Sequence, residues 1–406
     1  MDTNTDSSQV ASRTKSLAGP RAWRSGTNRP LTYLLALPLF PLATGCSPTH
    51  VRDSAHPSID SAATSTGLQP SAAPVGSQTK SARPYLYVVG ANGTAVVDPS
   101  NWHVIVVAPR IAPSKGDLIF DNHYPDPLGR LWSVGSATED GSVAAGVYVA
   151  DPKTLTNVKT ISLGHNVVHT PGLTPDGKFA VVPVSSENRL HVYDTGTFEE
   201  VATISVGAHP WDMMVSADGK YCCEPDMDSD QITIIDPKTW KVIGTVPTGE
   251  GSGPFMLTIW PDNKTVSVEC TGYHGAEFNH LGFPAVSTGK GFSIKYVDLT
   301  TRSVIKSIPL DFFAVWDEFT PDGKYNIIFG EDAKKVLVVD TSTLEVVNTI
   351  ELESNPTLAG YITPDPNGKY LYASVETGLQ VIDTSSFRIV ETIRIGGIVG
   401  TPFLLK

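Results

Sequence analysis

Six histidines, three alternating aspartates and two Trp-Asp pairs are the side chains of this sequence best fitted to bind a ligand or do chemistry. His123, His165, His169, His209, His274 and His280 all fall in or beside segments that read as loops. Imidazole ligates metals, pairs with anions when protonated, and exchanges protons near neutral pH. As a group they suit a metal, a haem or an anionic ligand; the plainer use is bonding to loop backbone. Asp226, Asp228 and Asp230 alternate in EPDMDSDQ. Three carboxylates at that spacing could hold Ca²⁺, but the glycine and glutamate of an EF-hand loop do not follow. A solvated acidic turn is the simpler expectation. His274, Glu277 and His280 stand three and three apart in TGYHGAEFNHLGF. On a helical turn they would share a face able to ligate zinc or iron, though Gly272, Gly275 and Gly282 argue for a polar loop. Trp211–Asp212 and Trp316–Asp317 combine a ring with a carboxylate, either as a ligand platform or as packing between structural units.

No nucleophile or nucleotide motif accompanies them. G-x-S-x-G, the Walker loop, a G-x-G-x-x-G after a strand, and C-x-x-C-H are all missing. The formal charge is −12, and no run rich in Lys or Arg follows residue 30. A general affinity for nucleic-acid phosphates is therefore not expected. With 40% hydrophobic residues the chain can fill a core, and 35 glycines with 31 prolines suit a turn-rich β protein. Cys222, Cys223 and Cys270 are an odd set for a disulfide framework and read as buried thiols in strands.

The elements that must position these residues come from a repeat. An apolar strand ending in aspartate, a polar turn and a second apolar strand recur seven times. The aspartates are Asp98, Asp151, Asp194, Asp236, Asp298, Asp340 and Asp383, at spacings of 53, 43, 42, 62, 42 and 43. A second phrase falls between them: TPDGKF at 174–179, SADGKY at 216–221, WPDNKT at 260–265, TPDGKY at 320–325 and TPDPNGKY at 363–370, with DPLGRL at 126–131 a degenerate copy. A period near 42 with four short strands predicts an all-β fold, a seven-bladed propeller of four-stranded antiparallel blades. The PDGK turn joins strands a and b of a blade; the Asp-x-x-Thr turn joins c and d. The propeller spans 84–406. PYLYVVG enters as a second strand, and the final GTPFLLK is an inner strand that completes the first blade, leaving no open edge there.

VYDTGTFEEVATISVGAHPWDMMVSADGKY (192–221) and VVDTSTLEVVNTIELESNPTLAGYITPDPNGKY (338–370) resemble the YVTN-type propeller repeat of bacteria and archaea. The resemblance covers roughly 320 residues. It implies the propeller fold and leaves activity open, because the family includes surface proteins, periplasmic lipoproteins and relatives of the haem-binding propeller of nitrite reductases, and lactonases share a similar propeller.

The a–b and c–d turns are short almost throughout. The long insertions, 111–118, 136–145 and 271–291, all fall in d–a or b–c connections, on the opposite face. Long loops on a rigid scaffold are where binding tends to occur. The histidines belong to that face or to the starts of inner strands, so a protein or small-molecule partner is expected there.

Residues 1–45 read as an export signal: five cations before residue 30, the apolar run LTYLLALPLFPLATG, then Cys46. LATGC resembles a bacterial lipobox, which implies acylation of Cys46 and a hold on the lipid bilayer; Ala43 stands where the family prefers leucine. Residues 46–83, rich in Ser, Ala and Pro, read as a tether. The expectation is an exported, membrane-anchored monomer, periplasmic or at the cell surface, that binds without obvious catalysis; a metal or haem cofactor, or a lactonase-like site at the channel mouth, is the alternative.

Overall fold

The computed structural model describes residues 85–405, apart from 91–92, 109–118, 121–125, 136–143, 152–155, 165, 167, 276–285, 332, 357–360 and 396–399. The export signal, the tether, Cys46, His123, His165, Glu277 and His280 therefore lie outside the described residues.

Seven four-stranded antiparallel sheets follow one another along the chain, each one blade of a β-propeller. Blade 4 shows the pattern: inner strand Met214–Val215, then Cys222–Asp226, Gln231–Asp236 and the outer Lys241–Pro247. Blade 1 is closed by the end of the chain. Strand Gly400–Leu405 pairs with Tyr85–Gly90 over six residues, from Tyr85 opposite Leu405 to Gly90 opposite Gly400. Blade 5 carries an extra hairpin, Tyr273–His274 with Val286–Ser287, in its b–c connection.

The core lies between blades. Leu86, Val88, Ala95 and Val97 of blade 1 meet Tyr372, Leu379, Val381 and Ile393 of blade 7, and similar clusters join blades 2 and 3, 3 and 4, and 4 and 5. The second and third strands are therefore buried on both faces. Their sequences are near-continuous apolar runs, whereas the outer strands alternate.

Both repeated turns act as expected. In the a–b turn the Gly177 N–H donates to the Thr174 carbonyl at 2.7 Å, with Gly177 at φ 67°, and the same bond recurs at Gly219, Gly323 and Gly368. The c–d turn holds a feature the sequence hides. The fourth residue after six of the seven aspartates, every such position among the described residues, is left-handed and bulky: Trp102, Phe198, Trp240, Arg302, Leu344 and Phe387, with φ from 52° to 63°. Such backbone costs on the order of 1–3 kcal/mol and persists only where surroundings enforce it. At four of the six the enforcement is a ring wedged onto the preceding blade: Trp240 on Phe179 at 5.5 Å, Trp102 on Tyr370 at 5.2 Å, Phe387 on Tyr325 at 5.1 Å and Phe198 on Trp132 at 5.8 Å. Arg302 instead reaches the Ile243 carbonyl of the preceding blade at 3.0 Å.

The degenerate copy DPLGRL has its own device. Asp126 takes the place of the turn threonine, and its carboxylate accepts from the backbone N–H groups of Leu128 and Arg130, from Arg130 Nε and from Trp132 Nε1. Arg130 then reaches the Thr195 carbonyl at 2.7 Å and covers the Phe198 ring, which ties blade 2 to blade 3.

Candidate binding face

The connections that lead into the inner strands of blades 3 and 4 bring His169, His209 and Trp211 into one stack. His169 lies on Trp211 with centroids 3.7 Å apart and planes 18° apart; His209 is 5.5 Å from Trp211 and 6.0 Å from His169. Trp211 is 8% exposed and lies 4.5 Å from Phe255, which in turn lies 5.1 Å from Phe313. The histidine rings thus cap an aromatic column that reaches the inner strand of blade 6.

His209 is held in a strained backbone, φ 61°. Its N–H donates to Asn188 Oδ1 at 3.0 Å, and its carbonyl accepts from Met227 N–H at 3.1 Å. Both partners sit in the b–c turns of blades 3 and 4. These turns are built alike, a single 3-10 turn ending in a left-handed residue, Asn188 or Asp230. Asparagine and aspartate tolerate that conformation better than most residues.

The three alternating aspartates have three separate roles. Asp226, expected in the turn, is the last residue of its strand and is fully buried, accepting from Gln231 and Thr233. Asp228 lies 3.6 Å from His209 Nδ1 and accepts the Gly275 N–H at 2.6 Å. Asp230 accepts from His274 Nε2 at 2.8 Å and from the N–H groups of Gly251 and Gly253 at 2.7 and 2.9 Å. Burial pushes the Asp228 and Asp230 carboxyls up, but the histidines and backbone donors outweigh it and hold both below the usual range. His274 lies in a β-strand; Glu277 and His280, grouped with it in the sequence, lie outside the described residues. No group of three or more His, Cys, Asp or Glu side chains stands in metal-binding geometry among the described residues.

Of the Trp-Asp pairs, Trp316 and Asp317 lie in the middle of the inner strand Phe313–Phe319. Trp316 is 3% exposed and edge-on to Tyr361 at 4.6 Å. Asp317 accepts from Ser267 and Asn326, and Asp212 accepts the Leu257 N–H at 3.1 Å. Both carboxylates are therefore buried and hydrogen-bonded to the inner or second strand of blade 5. The three cysteines are buried and unbridged, and burial pushes the Cys270 thiol up to about 12, so none is poised to react.

The result is one platform across blades 3 to 5. His209 and Asp228 join two loops; Asp228, Asp230 and His274 bind the blade 5 hairpin to blade 4; Thr288 Oγ1 sits 2.6 Å from the Gly251 carbonyl and 2.8 Å from that of Gly272. Val286, on the hairpin, is 61% exposed. The opposite face is not featureless. Grooves of about 500 and 570 Å³ lie between blades 3 and 4 and between blades 6 and 7. Both are lined by equivalent turn residues, Thr174, Asp176 and Trp240 in one and Thr320, Asp322 and Phe387 in the other, so they are a product of the repeat.

Asp230 is the anchor of this platform. Asp230→Ala is expected to cost about 2–3 kcal/mol, because buried N–H donors lose their acceptor, and to speed amide exchange at Gly251 and Gly253 first. Since the Asp228 and Asp230 carboxyls sit below their unfolded value of about 3.9, their stabilisation is complete above that pH and is lost as pH falls through the folded values. Protection of the Gly251 amide, the exchange rate relative to that of an unstructured amide at the same pH, should be constant near neutrality and fall only in strong acid; Asp230→Asn should flatten that acid fall.

No family model matches the sequence, and no curated protein does. Among solved structures the chain is similar to hydrazine synthase of Kuenenia stuttgartiensis, with a TM-score of 0.52 and 21% identity over 68% of this chain and 79% of that one. At this identity the likeness carries the propeller fold. As 1660 solved chains match, the shape selects no chemistry by itself.

Proposed function

We propose that this chain is an exported, membrane-tethered propeller of the YVTN type that binds a partner through the face built by its d–a and b–c loops, centred on His169, His209 and Trp211. The observation that carries this reading is the platform itself: loops from three blades are fastened into one surface by His209–Asp228 and His274–Asp230. The strained backbone of His209 supports it, since strain of this kind gathers at functional positions. The signal-like leader, Cys46 and the polar tether support export and anchoring to a bilayer. The chain acts as a monomer in this reading.

A second reading, a small anion, metal or haem at the same place, has one observation in its favour: His209 Nε2 is buried with no partner. One preparation separates the two. The full-length chain is expected in the membrane fraction and Cys46→Ser in the soluble fraction. The purified protein is expected to be colourless and metal-free, and to retain from envelope extract a component that His209→Ala loses. A Soret band or a stoichiometric metal would favour the second reading; retention unaffected by His209→Ala would count against both.

A further inference from the structure

Five carboxyl groups are buried in the wall of blades 4 to 6: Asp212, Glu224, Asp226, Glu269 and Asp317, each at most 1% exposed. Asp226 and Asp317 each satisfy Oδ2 with side-chain donors, Gln231 and Thr233 for the first, Ser267 and Asn326 for the second. Neither Oδ1 has a partner, and neither oxygen of Glu224 or of Glu269 has one. What each glutamate meets is another acid: Asp226 beside Glu224, Asp317 beside Glu269, with Asp212 acting on both. The other titratable groups facing them are the Cys222 and Cys223 thiols at Glu224, and the Cys270 thiol and Tyr296 hydroxyl at Glu269. Lys295, on the third strand of blade 5, acts on Cys270.

Two adjacent buried carboxylates with no Lys, Arg or His side chain acting on the glutamate cannot both readily stay ionised. A proton on one makes it a donor, and the orphaned Oδ1 atoms of Asp226 and Asp317 are the acceptors left for it. We propose that Glu224 and Glu269 are carboxylic acids in the folded protein, each sharing its proton with the neighbouring aspartate, so that two protons hold the wall of blades 4 to 6 and alkali loosens it. Burial, then the neighbouring aspartate, pushes both glutamates well above the usual carboxyl range, in keeping with this. The device lies directly beneath the binding face. The Gly207 backbone, two residues before His209, rests on Asp226 so closely that a Cβ there would fall 2.4 Å from the carboxyl carbon. The Gly207 backbone also hydrogen-bonds to Asp226, so a change of charge on the Glu224–Asp226 pair is felt by the loop that positions the histidine stack.

For a group whose folded value is raised, the stabilisation is complete below the unfolded value, about 4.3 for glutamate, and is lost as pH rises through the folded one. Unfolding of the full-length chain should thus release protons, and its stability should fall from about pH 5 upward. Glutamine mimics a protonated glutamate and needs no proton. Glu224→Gln and Glu269→Gln are each expected to raise the folding constant at pH 7 by about 10², and the double variant to lose most of the pH dependence. Infrared spectra of the wild type at neutral pH should show a carboxylic-acid C=O band that the double variant lacks, a readout that stands even if a variant folds poorly. No acid band at neutral pH would overturn the proposal. So would glutamine variants that are destabilised while Ca²⁺ stabilises the wild type in a chelator-sensitive way, since the oxygens would then hold a cation.

Discussion

Chains lacking residues 396–406 are expected to yield no soluble, folded propeller. The deletion removes Gly400–Leu405, whose six pairings are the inner hydrogen-bonded neighbours of Tyr85–Gly90. It also removes the Pro402 carbonyl that accepts from Thr363 of blade 7 at 2.8 Å. Leu86 and Val88, both fully buried, would then belong to an open edge, and the cluster shared with Tyr372, Leu379 and Val381 would lose its cover. An exposed apolar edge of this kind pairs with other chains. The consequence is more than one lost strand, because a ring whose first and last blades are not joined exposes two blade faces. Circular dichroism and size-exclusion chromatography of the truncated chain test this, with a peptide spanning 396–406 added back; rescue by the peptide is expected. A truncated chain that stays monomeric with an unchanged unfolding midpoint would show that closure contributes little.

The second large effect concerns Asp126. Asp126→Ala is expected to destabilise the fold by about 3–5 kcal/mol, because it leaves the Arg130 guanidinium buried without its carboxylate. Arg130 is 9% exposed and Asp126 3%, so water does not replace the lost partner. Trp132 Nε1 loses its acceptor in the same step. Adding Arg130→Met should recover much of the loss, since an apolar side chain can cover Phe198 without needing a countercharge. Urea unfolding of the single and double variants decides the matter. If the single change costs less than about 1 kcal/mol, the value of an exposed pair, the network is not what joins blades 2 and 3.

Much of the architecture is legible in the sequence because each blade announces itself. The seven aspartates mark c–d turns, the PDGK phrases mark a–b turns, and both are local signals of turn chemistry. The closing strand was legible from the mismatch between a chain that begins its first blade at a second strand and ends on an inner one. The wedge residues were not. Trp240 in DPKTW looks like the start of a strand, and only the position of the neighbouring blade explains why a tryptophan takes φ 54°. Of the site, repeat alignment on the PDGK turns puts His169 and Trp211 at equivalent positions, 42 residues apart, and the two rings stack. The environment of the acids was not. Glu224 and Asp226 occupy the strand positions that Val182 and Val184 fill in blade 3, all four buried. Aligning the repeats strand by strand would have exposed those substitutions. Periodicity alone could not, since a strand buried on both faces has no polar side against which an acid stands out. Likewise the partners that Asp228 and Asp230 find in Gly275 and His274 depend on the blade 5 hairpin, which is distant in sequence.

The central claim is that the loop face of blades 3 to 5 meets the partner. It is tested most directly by site-specific photo-crosslinking in intact cells. A photoreactive residue replaces Val286, exposed on the blade 5 hairpin, or Leu128, which is 72% exposed in an a–b turn on the opposite face. A discrete crosslinked product from position 286, absent from position 128 and lost when His274→Ala unfastens the hairpin, is the expected result. A product that forms from position 128 and not from position 286 would contradict the claim and place the partner on the face of the repeated turns.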